Sequence, residues 1–89
     1  MEFQFIIFTS KTCAPCRIYK PIVNTVLSEF NDHELISVDV DNNPEMAQGY
    51  GIRTVPSVLI RVGSSTHKLI GPMGSDDLRI HMKEIGLWV

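Results

Sequence analysis

The segment from Glu2 to Phe8 closes on four apolar residues in a row, Phe5-Ile6-Ile7-Phe8. A run without polar alternation suits a strand covered on both faces, as in a sheet held between helix layers. From Ala14 the period changes. Ile18, Ile22, Val26 and Phe30 recur at every fourth position, flanked by Tyr19, Val23 and Leu27. That spacing predicts an amphipathic helix over 14–30, with Arg17, Lys20, Asn24 and Ser28 turned to water. Pro21 falls inside it and predicts a kink, because its ring removes one hydrogen bond and crowds the preceding turn. Tyr19, Phe30 and the distant Trp88 read as core or cover residues.

Beyond the polar connection Asn31-Asp32-His33, the stretch from Leu35 to Asp41 sets Ile36, Val38 and Val40 against Ser37, Asp39 and Asp41. Strict alternation predicts a half-buried strand. Asn43-Pro44-Glu45 reads as a helix start, with a capping Asn, Pro at the first position and an acid in the first turn. The helix should stop near Gly49-Tyr50-Gly51. Val55 to Val62 reads as a strand broken at its start by Pro56. Gly63-Ser64-Ser65 forms a tight turn, and Thr66 to Ile70 returns as the hairpin partner. After the loop Gly71-Pro72-Met73-Gly74, Ser75 is placed as N-cap and Asp76-Asp77 complement the dipole of a last helix. Leu78, Met82 and Ile85 form that helix's inner face, and Gly86 ends it.

The order is β-α-β-α-β-β-α, an α/β arrangement. Its first two strands, joined through a long helix, should be parallel with a right-handed crossover. The last two should form an antiparallel hairpin. A four-stranded mixed sheet with helices on both faces follows, in a single domain over residues 1–89.

Composition alters this picture little. At 89 residues the chain is one small domain, and 44% apolar with 20% charged residues is an ordinary globular balance. A net charge of -2 gives no electrostatic case for nucleic acid or an anionic membrane. No apolar run approaches the roughly 20 residues that span a bilayer. Met-Glu-Phe-Gln lacks the basic start of a signal peptide, so a cytoplasmic location is expected. In a reducing compartment a permanent structural disulfide is not expected.

Both cysteines lie in Cys13-Ala14-Pro15-Cys16, between the first strand and its helix. A thiol at a helix start meets unpaired backbone N–H groups and the positive end of the helix dipole. That setting favours thiolate, the form that attacks disulfides. Pro15 has no N–H to lose and fits a first turn. The bland alternative is a pair of structural or incidental cysteines. A second alternative is metal, but tetrahedral zinc needs four ligands and this pair supplies two. His33, His67 and His81 have no ligand spacing and read as surface residues, which leaves only a metal shared between two chains. Arg17 and Lys20 read as a solvated face, with steering of an acidic partner as the functional alternative.

With Cys13-Ala14-Pro15-Cys16 after the first strand, the chain resembles the thioredoxin fold over nearly its whole length, from Phe3. The motif is similar to the thioredoxin Cys-Gly-Pro-Cys with one substitution. Pro21 falls where thioredoxins kink this helix. Val38-Asp39-Val40-Asp41-Asn42-Asn43-Pro44 resembles the family's following strand and turn. Tyr50-Gly51-Ile52-Arg53-Thr54-Val55-Pro56-Ser57 is similar to the segment with the cis-proline that faces the dithiol, and Gly71 matches a glycine of the same groove. The N-terminal strand and helix of a full thioredoxin have no counterpart, so a minimal version is expected. Three positions depart from the family. Thr12 stands where Trp is usual. Ile7 replaces a buried Asp implicated in proton transfer with the second cysteine, and Ser37 replaces the lysine that pairs with that Asp. Thr54-Val55-Pro56 and Ser75-Asp76-Asp77 lean instead toward glutaredoxins, whose last helix holds glutathione.

The resemblance implies a dithiol–disulfide oxidoreductase that reduces protein disulfides, with Cys13 as nucleophile and Cys16 as resolving thiol. Lys11 lies near Cys13, and the product is an oxidised Cys13–Cys16 bridge. It implies a cis Val55–Pro56 bond and a shallow substrate groove formed by Thr12, Ala14, Pro15, Val55, Pro56, Gly71 and Pro72. No bound cofactor or metal is expected. Electrons would come from NADPH through thioredoxin reductase, or from glutathione in a glutaredoxin-type protein. Expected partners are that reductase and protein disulfides, ribonucleotide reductase among them, for a monomer that binds neither nucleic acid nor membrane. A non-catalytic binding module and a metal carrier are the alternatives from other classes.

Overall fold

The computed structural model describes residues 2–87, so Trp88 lies outside the described residues. Its elements are β1 (Phe3–Thr9), α1 (Ala14–Leu27), β2 (His33–Asp39), α2 (Pro44–Gly49), β3 (Ser57–Val62), β4 (Ser65–Ile70) and α3 (Ser75–Glu84). They form one four-stranded sheet in the order β2-β1-β3-β4. β1 runs parallel to β2 and antiparallel to β3, and β3 pairs antiparallel with β4. The mixed sheet and element order are those read from the sequence.

The apolar run of β1 explains its central place. Phe5 and Phe8 have no exposed surface, and Ile6 and Ile7 are each 2% exposed. Phe3, Phe5 and Ile7 face one layer, with Val58 and Ile60 of β3, Tyr19, Val23, Val26 and Leu27 of α1, and Leu78 and Met82 of α3. Ile6 and Phe8 face the other, with Val38, Leu59 and Ala47 of α2. Each buried Phe or Ile contributes roughly 1.5–3 kcal/mol, a large share of a small domain's net stability.

Several local expectations need correction. Ile18 is 67% exposed, although it starts the four-residue series. The buried residues of α1 are Cys16, Tyr19, Val23, Val26 and Leu27. At about 100° per residue the centre of that set lies some 130° from Ile18, so the shorter spacing sets the inner face. α1 continues through Pro21 on its exposed side and ends at Leu27, not Phe30. Phe30 instead turns back edge-on to Phe3, with ring centroids 5.3 Å apart. β2 begins two residues early, at His33, whose ring stacks on Phe3.

The caps also differ from their sequence reading. Asn43 precedes α2, but its side chain accepts no capping bond and its amide donates to the Asp39 carbonyl at 3.0 Å. Ser75 is the first residue of α3, and Gly74 is its N-cap. Arg79 of α3 joins Glu29, just beyond α1, to Asp76. The guanidinium holds the Glu29 carboxyl below its ordinary range.

Tyr19 is fully buried, and its hydroxyl has no hydrogen-bond partner among the described residues. Burial pushes its pKa up to about 12. The folded state therefore holds that proton where the unfolded chain, titrating near 10, has lost it. Stability falls as pH rises between these values. Tyr19→Phe should remove this alkaline decline and, by deleting an unpaired polar group, raise stability near neutrality by about 1 kcal/mol. Urea unfolding of both proteins from pH 7 to pH 11 measures it. A variant clearly weaker at pH 7 would mean that the hydroxyl has a partner.

Candidate functional site

The site begins where β1 leaves the sheet. Ser10 holds this loop through both backbone and side chain. Its carbonyl accepts from the Cys13 N–H at 3.2 Å, and its hydroxyl donates to the Asp41 carboxylate at 2.7 Å. The Thr12 hydroxyl lies 3.2 Å from that of Ser10. Asp41 in turn donates its backbone N–H to the Asp39 carboxylate at 2.9 Å. The loop before the dithiol is thus fastened to the turn after β2. Sequence reading missed Ser10 and Asp41, because a bond between residues 31 apart leaves no local pattern.

Cys13 is the N-cap of α1, with an extended backbone (φ -93°, ψ 103°). The Cys16 N–H donates to the Cys13 sulfur at 3.2 Å. An orphan donor of the first turn therefore points at this sulfur, and the helix dipole adds to it. The two cysteines are joined in a disulfide, with Cα atoms 5.3 Å apart. Their settings differ: Cys13 is half-buried, and Cys16 is 1% exposed. Ala14 and Pro15, between them, are exposed in the first turn.

The third part comes from the chain before β3. The Val55–Pro56 bond is cis, as the resemblance implied, and so is Gly71–Pro72, which the sequence reading did not anticipate. The Val55 carbonyl oxygen lies 3.7 Å from the Cys13 sulfur. The Val55 N–H and C=O make no backbone hydrogen bond among the described residues. Pro56 is buried, and its carbonyl accepts from the Gly71 N–H at 3.1 Å. Gly71 lies on the Tyr19 ring so closely that a Cβ there would come within 2.8 Å of the Tyr19 Cε2. Cys13, Val55, Pro56 and Gly71 are thus linked by direct contacts. Thr12 is held on the Ser10 side, and Pro72 is exposed after Gly71.

Ile7 and Ser37 are direct partners across the β1–β2 pair, and Ile7 is buried against Tyr19 and Val23. The two departures from the family's buried ion pair therefore sit side by side. An apolar side chain and a small hydroxyl leave no lone charge behind. Among the described residues no three His, Cys, Asp or Glu side chains gather as metal ligands, and no helix is long and apolar enough to cross a membrane.

Comparison with known proteins gives a consistent picture. The sequence model of the thioredoxin family matches residues 2–84. Thioredoxin H2 of Arabidopsis thaliana is 31% identical over 65 residues, covering 72% of this chain and 49% of that protein. NADPH-dependent thioredoxin reductase 3 of the same plant is 41% identical over 54 residues, 60% of this chain but 10% of that protein. The chain thus spans about half the length of the first relative and a tenth of the second. A variant thioredoxin from Halobacterium salinarum superposes with a TM-score of 0.82 at 27% identity, covering 99% of this chain and 78% of that one.

Two substitutions probe this geometry. Gly71→Ala drives a methyl group into the buried Tyr19 ring and should destabilise the protein by about 1–3 kcal/mol in urea unfolding. An unchanged midpoint would show that the contact is slack. Ile7→Asp places a carboxyl in the apolar layer, where burial raises its pKa. The ionisation part of the penalty is absent below the unfolded value near 3.9 and grows as pH rises from there to the folded one. The loss of the buried Ile7 side chain costs stability at every pH. In urea unfolding the variant should therefore lose about 3 kcal/mol or more at pH 7 and regain part of it toward pH 4. A loss that does not change with pH would mean that the carboxyl reaches solvent.

Proposed function

The chain belongs to the thioredoxin family, and we propose on that premise that it is a small dithiol–disulfide oxidoreductase that reduces protein disulfides. The observation that carries this reading is the asymmetry of the dithiol: one sulfur caps a helix beside Val55, whose N–H and C=O have no backbone partner among the described residues, and the other is buried one turn in.

In the reduced protein, the Cys13 thiolate faces the Cys16 N–H and the dipole of α1, both of which favour its negative charge. It attacks one sulfur of a substrate disulfide. A Cys13–substrate bond forms, the substrate S–S bond breaks, and the first substrate sulfur leaves as thiolate. Cys16 then loses its proton, and its sulfur attacks that of Cys13. The mixed disulfide breaks, the second substrate thiolate leaves, and the Cys13–Cys16 bridge carries the oxidation. The two leaving thiolates take up the Cys16 proton and one from solvent.

Val55 supplies the positioning. Its N–H and C=O, without backbone partners among the described residues, sit beside Cys13, where an extended substrate segment gains backbone hydrogen bonds as an added strand would. Thr12, Ala14 and Pro15 border the sulfur on the loop and helix side, and Pro56, Gly71 and Pro72 support the opposite edge. Restoring the dithiol requires two electrons. We assign them to NADPH through a thioredoxin reductase, a choice supported by the local similarity to a protein named for that activity. A reducing compartment such as the cytoplasm suits a dithiol that must be returned to its reduced form.

The trapping experiment tests the assignment. Cys16→Ser should accumulate mixed disulfides with protein substrates, all through Cys13 and all released by added thiol. Cys13→Ser should form none and lose insulin reduction by a factor of about 10³ or more. Adducts through Cys16, or full activity without Cys13, would refute the roles.

A further inference from the structure

Beside the dithiol, on the side away from Val55, lies an open cleft of about 420 Å³ between α1 and the edge strand β2. Cys16 contributes to its lining, and Lys11, Arg17 and Lys20 stand around it. All three cations are exposed, and none makes an ion pair among the described residues. Asp39 is the one carboxylate in the lining, and its Oδ1 is taken by the Asp41 N–H. Three cations thus face one partly engaged carboxylate, in a protein whose net charge is -2.

Their place on α1 runs against the helix dipole. Acids belong in a first turn and cations in a last one. α3 obeys this rule, with Asp76 and Asp77 at its start and His81 and Lys83 at its end. α1 has no acid in its first turn and carries Arg17 and Lys20 in its N-terminal half, one turn apart and both exposed. Helix stability does not account for that arrangement. The cleft meets the dithiol at Cys16 and lies on the β2 side of β1, whereas the Val55 segment leads into β3 on the other side. A polypeptide held at Val55 that crosses Cys13 therefore has its other flank toward the cleft.

We propose that this basic cleft selects protein disulfides whose attacked cysteine is flanked by acidic residues, with Arg17 and Lys20 as the specificity-determining side chains. The proposal rests on the oxidoreductase reading above. Long-range attraction between the cleft and an acidic flank raises the rate of encounter, and side-chain carboxylates then meet the cations at the rim.

The test uses two symmetrical disulfide-linked peptides, identical except for two Glu or two Lys next to the cysteine. Each rate with the reduced protein is divided by its rate with dithiothreitol, a neutral dithiol, which removes the peptides' own reactivity difference. The acidic peptide should be reduced roughly tenfold faster at low salt. The ratio should approach one in 1 M salt, where the screening length is about 3 Å. The Arg17→Glu/Lys20→Glu double variant should invert the ratio, and its new acids suit the start of a helix, so α1 should still form. The ratio compares two substrates of one protein, so any change in Cys13 reactivity cancels. A ratio near one at low salt, or an acidic preference that survives the double variant, overturns the proposal. Reduction of hydroxyethyl disulfide, which is small and uncharged, reports the redox reading separately. If that fails, the oxidoreductase assignment falls; if it proceeds without charge preference, only the cleft assignment falls.

Discussion

The bond from the Cys16 N–H to the Cys13 sulfur is the contact on which the site depends. It exists because Cys13 occupies the position where a helix leaves its first donors unpaired. Ser, Thr, Asn or Asp normally accepts there, and here a sulfur does so. The same contact ends the loop, begins α1 and stabilises charge on the attacking atom. Structure and chemistry are joined at that sulfur, so what fixes the start of α1 also sets its reactivity.

What fixes the start of α1 is the burial of β1. With both faces of the strand closed, the loop that follows leaves the sheet at a defined point, and Ser10 ties it across to Asp41. β3 lies on the other side of β1 and brings Val55 to within 3.7 Å of the Cys13 sulfur. Tyr19 ties the arrangement together from beneath, as its ring supports Gly71 while its backbone belongs to the dithiol helix. The apolar Ile7 beside Ser37 shows that this scaffold closes without a buried charge at these two positions.

Most of the architecture was legible in the chain. The unbroken apolar run of β1, the alternation of β2 and the hairpin turn at Gly63 each follow from one dominant local period or conformation. The dithiol and its cis-proline segment were legible through family resemblance, not through periodicity. Misreadings arose where two local preferences competed. Ile18 fitted a four-residue spacing, but the helix turned the Tyr19–Val23 face inward. Asn43 had the right type for a cap, yet its amide found the Asp39 carbonyl. Ser75 gave way to Gly74 by one position. The Ser10–Asp41 bond joins distant polar residues with no shared pattern, and tertiary folding also turns the Arg17 and Lys20 face, visible in the chain, into one side of a cleft with Lys11 and Asp39.

The placement of β1 has a consequence for how the chain is made. Of the four strands, the earliest in chain order lies inside the sheet, and both its neighbours follow it, β2 from residue 33 and β3 from residue 57. Until then a markedly apolar ribbon has two unsatisfied edges, the kind of surface on which nascent chains associate with one another. The segment through β2 therefore cannot complete its own core, which also needs Val58 and Ile60 of β3 and, beyond the hairpin, Leu78 and Met82 of α3.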